Sequence, residues 1–305
     1  MAFTAKDVAE LRKQTGCGMM DCKNALVAAD GNFQEAIKIL REKGMTASAK
    51  KQDRIAAEGL VDIMTEGNLT AIIEVNTETD FVAKNESFKE FVKGLLKTIL
   101  STKPATVADL KAATFAGSAD TVEAVLQEKV YTIGEKIDIR RFEIIEGTVS
   151  SYIHGMGATG VVISFDTDVA DKDGFAEFAK NIALQAAAVP VAYVNKEAVP
   201  AEIVAEEKSI IEKQLEQDPK MANKPAKVLE GIVMGKLGKF YEANCLVEQA
   251  YVKEDSMKVS KYVADTAKAF GGKIEVVNFF RYDKGEGLQK REENFADEIA
   301  KMVNG

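Results

Sequence analysis

A single histidine, His154, serves a chain of 305 residues, and that scarcity narrows the chemistry at once. A Ser/His/Asp or Cys/His relay has one imidazole to draw on, and metal sites lose their commonest nitrogen ligand. Cysteine is almost as sparse. Cys17, Cys22 and Cys245 make an odd set, which does not suggest a disulfide framework. Cys17 and Cys22 lack the spacing of a zinc knuckle, so all three read as buried or half-exposed thiols in a reducing compartment. No apolar run approaches the roughly 20 residues of a membrane span. The N-terminus meets Asp7 early and has no apolar stretch, so it does not read as a secretory signal. A cytoplasmic protein is expected. Positive charge is in deficit too. With a net charge of −8 and a pI near 5.1, the whole-chain field repels a polyanion, and free nucleic acid is not expected as the main partner. A local basic patch remains compatible with that. Carboxylate pairs stay open, but nothing singles one out; the chain is read as no enzyme, without a cofactor.

What is present is ordinary globular material, 46% hydrophobic and 29% charged, in a length that suits about two or three domains. The expected class is α+β. Residues 1–45 read as a three-helix module, with Thr4 and Asn32 as caps and Gly16, Asp30–Gly31 and Gly44 as stops. Cys22, Ala25, Leu26 and Ala29 repeat at helical spacing; Met19 and Met20 suit either the module's core or an adaptable partner surface. The module resembles the ubiquitin-associated type of helical domain. Residues 46–54 read as a helical linker.

A core subdomain over residues 55–140 begins with a hairpin turning at Glu66, Gly67 and Asn68. Its second strand, from Ala71 to Val75, runs into Asn76, Thr77, Glu78, Thr79 and Asp80, the composition of a turn and a helix cap. Phe81 follows directly. A large ring there either staples back onto the next helix or is held out for a partner. The strand–strand–helix pattern recurs in a second subdomain over 141–285: Gly147 echoes Gly59, and Phe175 and Phe178 echo Phe88 and Phe91. The unit reads as duplicated, with antiparallel sheets, and strands near 137–145 and 274–282 extend the two copies. Charged amphipathic helices at 201–215 and 226–241 form an inserted antiparallel hairpin at about 200–242. A C-terminal helical module over 286–305 carries Phe295, Ile299 and Met302 on one face.

Two stretches imitate ligand sites. Gly155, Gly157 and Gly160 spell G-x-G-x-x-G, but a dinucleotide site needs these glycines to open a helix, and Val161 to Phe165 is strand-like. A kinase loop needs a His-Arg-Asp motif downstream, which the lone histidine forbids. A glycine-rich hairpin turn is the expectation. The run from Asp166 to Gly174 has the acidity of a calcium loop, yet the first and twelfth positions would be Val169 and Lys180, which do not ligate calcium as required.

Several motifs, in order along nearly the whole chain, together resemble the bacterial translation elongation factor Ts family. They are the stretch from Leu11 to Leu26 and Glu74 to Asn76 with Thr79 to Lys84. Ile133 to Glu135 with Ile139 to Arg141, and Tyr152 to Gly155, follow. Lys236 to Tyr241 and Phe280 to Tyr282 with Gly285 to Gly287 complete the set. The resemblance implies a guanine nucleotide exchange factor that binds the GDP form of the GTPase elongation factor Tu. It implies that Thr79, Asp80, Phe81 and Val82 push into the GTPase beside its magnesium. It implies further partner contacts at Arg12, Met19, Met20, Lys23, Ile133, Gly134, His154 and Val252. For His154, a histidine satisfied within its own turn is the alternative. A one-to-one and a dimeric complex are both compatible with the sequence. The chain departs from the family pattern at Cys17, where a small alanine is common, and at Thr77, where some members carry cysteine. Ala158 stands where a basic residue is often seen.

Overall fold

The computed structural model describes residues 3–221 and 224–289. The chain is α+β and divides into two compact units. One holds the described residues up to Ile144, the segment Gly155–Thr159 and the stretch from Tyr282 onward; the other holds Ile145–His154 and Gly160–Arg281.

The first unit opens with α1 (Ala5–Thr15), α2 (Met19–Ala28) and α3 (Phe33–Lys51). Thr4 and Asp7 close a capping box on α1, and Gly16 ends it in the left-handed conformation. Asn32 caps α3 by accepting from the amides of Gln34 and Glu35. Leu11, Cys22, Ala25, Leu26, Ala36 and Leu40 form the module's small core. Met19 and Met20 are not in it; they are 45% and 61% exposed. Gly44 does not end the third helix. α3 continues through it to Lys51, so the segment from Thr46 to Lys51 is helix of the same element. The glycine is buried where α3 lies on α7 (Val122–Ile133), and a Cβ there would stand 3.4 Å from the Gln127 carbonyl oxygen. The same residue type that marks a helix stop also permits close helix approach, and here approach is what it serves.

β1 (Glu58–Glu66) and β2 (Leu69–Thr77) pair antiparallel, from Glu58 opposite Thr77 to Glu66 opposite Leu69. Gly67 takes φ +62° in the turn. α4 (Asp80–Lys84) and α5 (Glu86–Thr102) follow. α5 buries Phe88, Phe91, Leu95 and Ile99 against Ile73, Val75 and Ile137. Each such side chain removed from water contributes about 1.5–3 kcal/mol. α6 (Val107–Ala112) and α7 add Leu110, Leu126 and Val130, and β3 (Ile137–Glu146) lies beside β2, completing the order β1-β2-β3.

The second unit repeats the scheme with β4 (Thr148–His154), β5 (Thr159–Thr167) and α8 (Phe175–Ala188). Phe165, Phe175 and Phe178 meet ring to ring at centroid distances of 5.7–6.0 Å. α9 (Ala201–Gln217) and α10 (Ala226–Asn244) form the inserted hairpin, with Ile211, Leu215, Val233 and Leu237 as its own small core. β6 (Ala250–Tyr251) and β7 (Glu254–Lys258) pair antiparallel, α11 (Val259–Phe270) follows, and β8 (Ile274–Asp283) lies beside β5. The helix expected from 292 to 303 lies outside the described residues.

The glycine-rich run opens no helix. It connects β4 to β5, with Gly155, Met156 and Gly157 all at positive φ. The Gly157 carbonyl accepts from the Val61 amide at 2.8 Å, and a Cβ on Gly157 would stand 2.9 Å from that of Leu60. Asp168 accepts from the Lys273 amide and Asp166 pairs with the Lys273 ammonium, so lysine answers that acidic loop. Among the described residues, no group of three or more His, Cys, Asp or Glu side chains is arranged to hold a metal, and no helix is long and apolar enough to cross a membrane.

Candidate partner-docking site

β2 ends at Thr77, whose hydroxyl donates to the Thr79 carbonyl at 2.8 Å and bends the chain out of the sheet. Thr79 caps α4, its Oγ1 accepting from the Val82 amide. Within that single turn, Val82 packs on the core of the first unit and Ala83 is buried. Phe81 does neither. It is 81% exposed, so the ring is held out rather than stapled back. Asp80 pairs with Lys84 one turn on at 2.6 Å, and that hydrogen bond holds its carboxyl below the ordinary range.

The cap is fixed from a distance. α7 ends at Gly134, in the left-handed conformation with φ +87°, and the chain turns to present Glu135. Its Oε2 accepts from the Thr79 amide at 3.0 Å and its Oε1 from the Thr79 hydroxyl at 2.6 Å. The next amide, Lys136 N–H, donates to Glu78 Oε1 at 2.6 Å. The Lys136 ammonium donates to the carbonyls of Gln52 and Arg54, and Arg54 pairs with Glu78 at 3.2 Å. The exit of α3, the end of α7 and the Phe81 tip therefore meet at one polar cluster.

The N-terminal helices reach the same neighbourhood. A Cβ on Gly16 would lie 3.7 Å from Thr132 Cγ2, and Tyr131 packs on the module's core. Burial, with a hydrogen bond to Asp21 second, pushes the Tyr131 phenol well up. Arg12, Met19, Met20 and Lys23 are exposed on this unit, as is Gly134, whereas Ile133 is half-buried against the core. His154 and Val252 belong to the second unit. His154 is exposed with Nδ1 3.1 Å from the Tyr152 hydroxyl, and Val252 is 46% exposed while its amide donates to Gln185. Sequence reasoning named the tip but not Glu78 or Glu135 as its mount. The only local signal was a carboxylate directly after a helix-ending glycine.

Comparison with known proteins places the chain in a family. The family model described as elongation factor TS matches residues 78–286. A relative described as elongation factor Ts from Syntrophotalea carbinolica is 44% identical over 307 residues, covering 99% of this chain and 100% of its own. One of the same description from Clostridioides difficile is 45% identical, covering 99% of each chain, and one from Clostridium kluyveri is 41% identical over 99% of each. The chain belongs to the elongation factor Ts family. The matched span opens at Glu78, in the mount of the tip, and closes at Glu286, in a second buried network.

That network centres on Glu74 of β2, whose side chain is wholly buried. Its carboxylate accepts from Arg140 Nη1 at 2.9 Å, Arg141 Nε at 2.7 Å and the Gly285 amide at 2.8 Å. Arg140 also donates to the Glu286 carbonyl; Arg141 pairs with the Glu286 carboxylate and lies over the Tyr282 ring. Burial raises the Glu74 carboxyl, but the Gly285 amide and the two guanidinium groups together carry it below its ordinary value. Gly285 is required by shape. It sits at φ +68°, and a Cβ would come 2.1 Å from the Ala57 carbonyl oxygen. Gly285→Ala is expected to lower stability by about 2 kcal/mol or more, read as a reduced urea midpoint. An unchanged midpoint would show that the 283–287 turn adjusts freely.

Proposed function

We propose that this chain is the guanine nucleotide exchange factor for elongation factor Tu, acting in the cytoplasm during translation elongation. It is a binding protein rather than an enzyme, and it uses no cofactor of its own. The first three helices act as a ubiquitin-associated-like docking module through Arg12, Met19, Met20 and Lys23. Ile133, Gly134, His154 and Val252 extend the contact. The tip of Thr79, Asp80, Phe81 and Val82 then enters the GDP form of the GTPase beside its magnesium.

One observation carries this reading: Phe81 is 81% exposed at the head of a capped, anchored turn. Burying the ring in a partner pocket supplies about 1.5–3 kcal/mol toward displacing the groups around the ion. Magnesium demands near-ideal octahedral geometry, so small displacements weaken it and the phosphates it holds. Factor and nucleotide then weaken each other's binding reciprocally.

The test is release of fluorescent GDP from elongation factor Tu with catalytic amounts of the chain. Acceleration is expected; stable binding without acceleration would leave a carrier role and overturn the exchange reading. The hairpin of α9 and α10 is assigned to affinity or to contact in a dimeric complex. Replacing residues 201–241 by a short turn is expected to raise the half-saturating concentration while leaving the saturated rate within about threefold. The replacement must keep Asn244, whose carbonyl accepts from Ala192 and Tyr193. Exchange abolished at saturation would place the hairpin in the exchange step.

A further inference from the structure

The geometry points to Glu135 as a positioning residue of the exchange step: it completes, from elsewhere in the chain, the cap that aims Phe81. This rests on the exchange reading above. The comparison that carries it is internal. Thr4 and Thr106 each cap a helix and donate the hydroxyl proton to an acid three residues ahead, Asp7 and Asp109. At α1 the same acid also accepts the cap amide, at 2.6 Å, which closes the box within its own helix. In α4 the third position is Val82, which packs into the core and accepts nothing. Glu135 takes over both duties, accepting the Thr79 amide and the Thr79 hydroxyl.

A cap closed in this way fixes direction as well as helicity. A helix of five residues has little stability of its own, and Phe81 gains no packing that would hold it. Rotating Thr79 lengthens one of the two bonds to the carboxylate, so a two-point acceptor sets the turn's orientation relative to α7 and β3. The acceptor is itself tied down, because Glu78 accepts the Lys136 amide. Each of the segments 78–79 and 135–136 thus gives an amide to a carboxylate of the other.

Saturation curves of fluorescent GDP release from elongation factor Tu, against the concentration of the full-length chain, test this. Glu135→Gln is expected to lower the saturated rate about tenfold and to leave the half-saturating concentration within about twofold. Thr79→Val should show the same split. Thr79→Ser, which restores the hydroxyl, should recover most of what Thr79→Val loses. The double variant with Glu135→Gln should lose little more than the worse single, because both act through one contact. A saturated rate per folded molecule that is unchanged in Glu135→Gln, or losses that multiply in the double variant, would overturn the assignment. Should Glu135→Gln fail to fold, the contrast between Thr79→Val and Thr79→Ser decides alone. The unaltered chain and Phe81→Ala separate the two readings. If the unaltered chain fails to accelerate release, the exchange reading falls. If Phe81→Ala exchanges normally, the tip's role falls and that of Glu135 with it; if Phe81→Ala is impaired while Glu135→Gln is not, only the role of Glu135 falls.

Discussion

Phe81→Ala lowers exchange at saturating factor by about 10- to 100-fold and leaves the melting temperature where it was. Under the proposed function, the rate follows from burying the ring in the partner, about 1.5–3 kcal/mol, at roughly tenfold for each 1.4 kcal/mol. The unchanged melting follows from its 81% exposure, since surface substitutions away from special features stay within about 0.5 kcal/mol. Phe88 and Phe91, a few residues on, are the internal control. Both are buried, and truncating either is expected to cost the fold about 3–5 kcal/mol. Complex formation should survive in Phe81→Ala, because Arg12, Met19, Met20 and Lys23 are untouched. A variant that binds and exchanges normally would return Phe81 to the status of an incidental surface ring. A variant that melts early would show that the ring packs in solution.

Glu74→Ala is expected to cost the fold about 3 kcal/mol. Removing one partner of a buried ion pair typically costs 3–5 kcal/mol, because the remaining charge stays behind without its counterpart. The lower figure applies here because Arg140 and Arg141 keep 24% and 30% exposure and retain some water. The same network makes stability depend on acid. The folded carboxyl lies below its unfolded value of about 4.3, so its contribution is complete above that pH and is lost as pH falls through the folded value. Unfolding free energies from urea titrations between pH 3 and 7 should therefore drop more steeply below about pH 4.3 in the parent than in Glu74→Gln. Above pH 6 the two curves should run parallel. Asp62 and Glu128, raised chiefly by burial, act in the opposite sense, but they are common to both proteins. Parallel curves down to pH 3 would mean that Glu74 is not held ionised.

Features written in neighbouring residues were legible in the sequence. Thr4 with Asp7, Asn32 before Phe33, and Gly67 in the hairpin each form a local contact that needs no knowledge of the fold. The strand near 137 was readable from alternation, the strand near 274 as its match in the second copy, and the helices bearing Phe88 and Phe175 from their repeat. Features whose partners lie far along the chain were not. Gly44 carries one local signal for two uses, and only the approach of Gln127 decides between them. Met19 and Met20 share a helical stripe with Cys22, and ten residues of periodicity do not say where the stripe's edge falls. Glu135 reaches back 56 residues to Thr79, and Glu74 forward 211 to Gly285. Nothing in the letter Glu distinguishes such a carboxylate from the many that face water.

The uninterrupted course of α3 bears on avidity. Had residues 46–54 been a loose tether, engagement of the first helices would have left the Phe81 tip searching at an effective concentration in the millimolar range. Instead α3 passes through Gly44 along α7, and Lys136 grips the carbonyls just beyond its end. Under the proposed function, the two contact sets on this unit are joined through one continuous helix, so docking the first would deliver the second without a conformational search.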